Sequence, residues 1–200
     1  MAGKLLLSTA YLPPAIYFRL IRDADTVSIE REENYIKQSY RNRCRILSSN
    51  GILNLSVPVT KGNMLKMPVK DIRIDWSKRW LQVHTRSISS AYGRSPFFLY
   101  YSDNLFSIYN KNHRFLIDLN HELMLECLKL LNINKCINYT SSFEAPGDNP
   151  DDYRYKISPG NEPEFISDPY IQVFGKEGFV PGLSIIDLLF NLGPDAAMYL

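Results

Sequence analysis

The sequence predicts an α/β fold: a mixed sheet that opens with a βαβ unit and contains an antiparallel hairpin, helices packed on it, and a long irregular loop ahead of a C-terminal helix. Three observations predict it. The first 30 residues read strand, proline-bearing loop, helix, strand, which normally means a parallel pair with a right-handed crossover. Two alternating arms flank Ser48-Ser49-Asn50-Gly51, and Asn-Gly between alternating arms is the strongest short-range hairpin signal. Downstream, apolar residues recur at three- and four-residue spacing.

Taken in order, Lys4 to Ser8 is a short apolar strand, and Pro14 starts a helix carrying Ile16, Tyr17, Leu20 and Ile21. Asp25 to Glu30 resumes as a strand. The first hairpin arm sets Tyr40, Asn42, Cys44 and Ile46 against Arg41, Arg43 and Arg45, and the second sets Ile52, Asn54 and Ser56 against Leu53, Leu55 and Val57. Thr60 to Pro68 is a loop with Lys61 and Lys66, and Lys70 to Trp76 alternates as a strand. Ser77 caps a helix through Trp80, Leu81, His84, Ile88 and Ala91; Ser102-Asp103 opens another to Tyr109, and His113 to Asn132 is a long amphipathic helix. Lys135 to Thr140 is a short strand. Pro169 to Gly175 is a strand or extended piece, and Leu183 to Leu192 a helix capped by Ser184.

Two hundred residues suit one domain over 1–200, with 141–169, rich in Pro, Gly, Asp, Asn and Glu, as a long loop or lid. Residues 1–143 hold 20 basic against 11 acidic side chains and 144–200 hold 3 against 10, so a basic body precedes an acidic tail. Such asymmetry fits a basic site for an anionic ligand, or charge complementarity between two parts of one fold. An odd set, Cys44, Cys127 and Cys136, without a Cys-x-x-Cys pair argues against a disulfide framework and a zinc site and suits a reducing cytoplasm. No signal peptide and no membrane-spanning run are expected. A near-neutral total without a recognisable module argues against nucleic-acid binding.

The candidate site residues follow from chemistry. Arginines at every second position leave a strand on one face, spaced about 7 Å apart given a rise of ~3.3 Å per residue. Arg41, Arg43 and Arg45 can therefore grip phosphates or carboxylates, or simply form a solvated face that discourages edge pairing. Asn42, on the opposite face, needs hydrogen-bond partners if that face is core. Ligands of βαβ units favour the loop after the first strand, here Thr9 to Pro14. It lacks the glycines of a dinucleotide fingerprint, so no dinucleotide cofactor is expected and none is assigned, and Tyr11 is its one side chain able to stack and donate, or else a packing residue beside two prolines. His84 lies on an apolar helix face, as a general base or a hydrogen-bonded core residue. His121-Glu122 begins like a zinc-protease helix, but Leu125 breaks that pattern. Asp187 sits in an apolar helix, as counter-ion to one of Arg41 to Arg45 or as a catalytic acid or orienter of His84.

With these pieces placed, the chain resembles the WbqC-like family of bacterial proteins over nearly all its length. The resemblance rests on Tyr11-Leu-Pro-Pro with Tyr17-Phe18, on Tyr35-Ile-Lys-Gln-Ser-Tyr-Arg-Asn-Arg with Val57-Pro58-Val59, and on His84 with Ala91-Tyr-Gly-Arg-Ser-Pro-Phe-Phe. Tyr170-Ile-Gln-Val-Phe-Gly and the Gly178 to Phe190 stretch complete it. Ser8-Thr9 stand where the family usually has Gln-Pro, and Cys44 where relatives often carry asparagine. The resemblance implies a soluble bacterial protein of O-antigen or other surface-polysaccharide biosynthesis, and places weight on Lys37, Arg41, Asn42, Arg43, His84, Tyr92 and Asp187.

The expectation is a transferase passing an acyl or aminoacyl group to a nucleotide-activated or carrier-linked sugar, in contact with other polysaccharide-pathway enzymes. Arg41, Asn42, Arg43 and Arg45 would hold the anion, Tyr11 or Tyr92 would stack, and His84 would be the base, with Lys37 as second base if burial lowers its pKa. A non-catalytic binding or scaffold protein is the alternative. A nucleotidyltransferase-like enzyme is less favoured, because Pro14-Ala-Ile-Tyr-Phe lacks that fold's paired histidines.

Overall fold

The computed structural model describes residues 3–60, 66–147, 149–160, 162–163, 168–175 and 178–200. Residues 61–65 of the Thr60–Pro68 loop, with Lys61, and residues 148, 161 and 164–167 of the 141–169 loop lie outside the described residues.

The architecture is mixed α/β, as the sequence predicts. β1 (Lys4–Ser8), α1 (Ala15–Asp23) and β2 (Thr26–Glu30) form the opening βαβ unit, with Lys4 opposite Thr26 and Ser8 opposite Glu30 in a parallel register. Leu5 to Leu7 drive this pairing, because burial on both faces is what parallel strands between helices require. β5 (Ile137–Tyr139) pairs parallel to β2 on its other side, giving the order β1-β2-β5. The outer edge of β1 is partly covered by the long loop: Leu6 N–H donates to Asp151 O at 3.0 Å and Leu6 O accepts from Tyr153 N–H at 2.9 Å.

β3 (Arg43–Ser48) and β4 (Gly51–Ser56) make the hairpin as a two-stranded ladder of their own. Ser49-Asn50 is its turn and Gly51 follows at φ 94°, where a side chain would be strained. Cys44, Ile46 and Leu55 face inward, while Ile52 and Leu53 project into solvent near the tip.

The helices are α2 (Trp80–Tyr92), α3 (Phe98–Tyr109), α4 (Leu116–Leu130) and α5 (Ile185–Leu192). α5 is the centre of the core. Ile185, Ile186, Leu188, Leu189 and Phe190 are all at most 1% exposed, as a mostly apolar helix inside a core demands. It packs on the other four helices, and each such side chain contributes about 1.5–3 kcal/mol by burial. Ser184 caps it as expected, its Oγ accepting from Ile186 N–H. Gly193 ends it at φ 57°, where a Cβ would sit 2.4 Å from the Phe97 ring.

Four local expectations are corrected. Residues 70–76 form no strand: Val69–Asp71 is a 3-10 turn, and only single bridges tie Ile74 to Val59 and Arg73 to Phe115. The alternation there is real, since Ile72 and Ile74 are buried and Arg73 exposed, but no strand among the described residues runs alongside. Ser77 does not cap α2; it bonds the Asp75 carboxylate, and the helix begins at Trp80. α3 begins at Phe98, leaving Ser102 buried inside it. Residues 169–175 are extended and turned, with Gly175 N–H on Gln172 O, and pair with no strand among the described residues.

Candidate ligand site

The loop after β1 turns its tyrosine inward. Tyr11 is fully buried; its hydroxyl lies 2.7 Å from His84 Nδ1 and 2.6 Å from the Tyr109 hydroxyl. His84 Nε2 reaches the Ser56 carbonyl at 3.2 Å, so the ring is bonded on both nitrogens, and Trp80 packs edge-on against it at 5.0 Å. Burial drives the His84 pKa down to about 4, so the imidazole is neutral near pH 7. It lines no described cavity, and at 2% exposure it has the surroundings of a core histidine. Tyr11 likewise offers no free ring face for stacking.

The arginine row does not form. β3 starts at Arg43, so Arg41 stands in the preceding turn and points into the molecule. Its Nε and Nη2 donate to the two Glu33 oxygens at 3.0 and 2.6 Å, and Nη2 also donates to Ser8 Oγ at 2.8 Å. A second buried arginine lies close by: Arg154 is held bidentately by Asp152 and donates to Glu30 at 3.0 Å. Both clusters sit at the carboxyl ends of β1 and β2, where the charges satisfy one another. Asn42 has its partner, donating from Nδ2 to Val57 O at 2.8 Å and so extending the hairpin. Arg43 donates to Ser56 Oγ at 3.2 Å on the hairpin surface. Lys37 lies in an exposed turn, without the burial on which its role as a base depended.

Arg45 is different. Its Nη1 donates to Glu162 Oε1 at 3.0 Å, Tyr40 donates its hydroxyl to the same oxygen, and the pair opens onto a cavity of about 340 Å³. That volume is at the lower end for small-molecule sites. One wall is the start of α1, Pro14 to Ile16; another is Phe179 to Leu183; Gly160, Pro163, Tyr170 and Leu188 complete the lining. α1 enters the cavity with no capping side chain and no acidic residue in its first turn. The amides that begin an α-helix lack intrahelical acceptors and carry its positive dipole end, so an anion is favoured there. The Tyr170 and Phe179 rings meet edge-to-face at 5.0 Å on the same lining.

Asp187 stands behind this wall. It is not the counter-ion of an arginine: Oδ2 accepts from the Tyr170 hydroxyl at 2.6 Å and from Gln172 Nε2 at 2.9 Å, while Oδ1 has no hydrogen-bond partner among the described residues. Burial raises its pKa, opposed by the hydroxyls of Tyr170 and Tyr92 and by Gln172. The guanidinium of Arg45 is taken by Glu162 instead, and His84 is bonded elsewhere. Tyr92 is buried, its hydroxyl accepting from Leu47 N–H at 3.4 Å, so it does not stack on a ligand in this arrangement.

Of the residues singled out from sequence, Arg45 alone lines the cavity, with Asp187 acting on it through Tyr170. Glu162, Tyr170 and Phe179 were missed. Tyr170 and Phe179 lie inside the closing motifs that carry the resemblance, a signal that could have found them; Glu162 lies in a stretch without period or motif. Among the described residues, no group of three or more His, Cys, Asp or Glu is placed to hold a metal ion. No helix among them is long and apolar enough to cross a membrane.

No solved structure matches the chain. The uncharacterized protein Rv1507c of Mycobacterium tuberculosis (strain ATCC 25618 / H37Rv) is 26% identical over 224 residues, covering 98% of this chain and 96% of its own. The WbqC-like protein family matches residues 9–158 and 160–199, and the chain belongs to that family.

Proposed function

We propose that this protein is a cytoplasmic transferase of bacterial surface-polysaccharide biosynthesis that binds a nucleotide-activated or carrier-linked sugar in the cavity at the start of α1. The observation that carries the reading is the meeting of Arg45 with an uncapped, acid-free helix N-terminus on one lining. A guanidinium gives a phosphate paired charge-assisted hydrogen bonds, and the first-turn amides add donors along the dipole. The Tyr170 and Phe179 rings suit the apolar face of a sugar.

Phosphate binding at Arg45 would compete with Glu162. The released carboxylate then stands beside the ligand as an acceptor for the proton of an attacking hydroxyl or amine, the role assigned from sequence to His84. Acyl or aminoacyl transfer is the reaction this arrangement serves. The second reading, a binding or scaffold protein that presents the precursor to other enzymes, draws support from the sealed position of His84.

The test is a thermal-shift screen of the purified protein against nucleotides, nucleotide sugars, amino sugars and acyl donors, repeated with Arg45→Ala. A ligand at 100 times its dissociation constant adds about 2.7 kcal/mol, several degrees of melting temperature. A shift with a nucleotide sugar that disappears in Arg45→Ala is expected. A nucleotide-sugar shift that survives the substitution would overturn the assignment of Arg45, and a bound nucleotide sugar that yields no product with any acyl donor would favour the scaffold.

A further inference from the structure

We propose a second ligand site at the carboxyl ends of β2 and β5, built to take a polyol or amino polyol with His121 as its hydrogen-bond acceptor. It stands on a different cavity from the one at α1, and on different side chains. The cleft measures about 430 Å³ and is floored by Ile117 and Phe115. Beyond the carboxyl ends of parallel strands is where open α/β sheets place ligands. Here β5 ends at Tyr139, and Arg31 follows the last residue of β2.

Asp118 and His121 share one face of α4, three residues apart, and both line the cleft. Tyr139 fixes the imidazole, its hydroxyl 2.8 Å from His121 Nδ1 with the rings 5.4 Å apart. Nε2 has no hydrogen bond among the described residues. Burial holds the His121 pKa below the ordinary imidazole value, so near pH 7 the ring is neutral; in the tautomer whose Nδ1–H donates to the Tyr139 oxygen, which the proposal requires, Nε2 carries the lone pair.

The charges decide the ligand class. Arg31 and Lys70 also line the cleft, and at first sight invite a phosphate. Both are already engaged by one carboxylate, Glu32, at 3.2 and 2.5 Å. Asp71 and Asp118, on the same lining, have no ion pair among the described residues. An incoming anion would meet these two carboxylates, whereas hydroxyl and ammonium groups find acceptors in Asp71, Asp118 and His121.

The chain has three histidines, so imidazole carbon–proton correlation spectra are simple, and His121→Gln identifies the relevant signal. The intact protein is titrated with D-glucosamine, D-glucose and inorganic phosphate. Saturable movement of the His121 signal with glucosamine is expected, weaker with glucose and absent with phosphate. Asp118→Asn should reduce glucosamine affinity roughly fivefold, the loss of one partly exposed charge interaction. Movement with phosphate alone, no movement with either sugar, or unchanged glucosamine affinity in Asp118→Asn would overturn the proposal. Because the readout is His121 itself, a failed thermal-shift screen at the Arg45 cavity leaves this result intact.

Discussion

Two arginines four residues apart in one basic stretch meet opposite fates. Arg41 is 4% exposed and locked to both oxygens of Glu33, while Arg45 keeps about a fifth of its side chain exposed and shares a single contact with Glu162 at the rim of a cavity. The first arrangement uses all the charge it has, and its work is structural. The second leaves guanidinium donors without a partner among the described residues, beside a cavity, which is what a ligand needs. A basic stripe in a sequence therefore mixes two kinds of residue, separated by whether the chain supplies enough carboxylate to exhaust each cation.

The largest effect that would sharpen this contrast is at Arg41. Removing one member of a fully desolvated pair leaves the other charge buried alone, so Arg41→Ala should destabilise the protein by about 3–5 kcal/mol in urea unfolding. The double variant Arg41→Met with Glu33→Leu should recover most of that loss, since an apolar pair carries no desolvation penalty. A loss below about 1 kcal/mol for Arg41→Ala would place Arg41 with Arg45 and dissolve the distinction.

The interior around His84 is closed in the same sense, and protons read it. Above pH 6.5 the imidazole is neutral in both the folded and the unfolded chain. Between pH 6.5 and about 4 only the unfolded chain takes up the proton, so acidification removes stability over that window, up to about 3 kcal/mol in all. Urea midpoints of the wild type and of His84→Gln, compared from pH 7 to pH 4, isolate this contribution, because the carboxylates common to both proteins cancel. The stability difference between them should shrink steadily as pH falls through the window. A constant difference would mean that His84 is accessible to protons in the folded state, and would return it to the list of bases.

Much of this fold was legible because local signals agreed with one another. Lys4–Ser8 and the capped, mostly apolar helix near residue 185 were placed within two residues, each marked by composition and by a Ser at its boundary. Residues 70–76 show the limit: alternation reports which side chains are buried, and says nothing of whether a neighbouring strand exists to pair with. The site was less legible for the same reason. Period-two spacing put Arg41, Arg43 and Arg45 on one face, yet the strand begins at Arg43, and one residue of turn sent Arg41 inward. Glu162 has no periodicity around it, and its importance comes only from the tertiary fold that carries it back to Arg45.

The smallest effect is the most discriminating. The side chains of Arg45 and Glu162 are 20% and 18% exposed, so their attraction is partly screened, and a double-mutant cycle with Arg45→Ala and Glu162→Ala should give a coupling of about 0–1 kcal/mol. Little stability then depends on the pair, and an anion displacing Glu162 from the guanidinium gives up little in doing so. A coupling of several kcal/mol would reverse the argument. Arg45 would be a structural clamp like Arg41, and the cavity at the start of α1 would have to recognise its ligand without it.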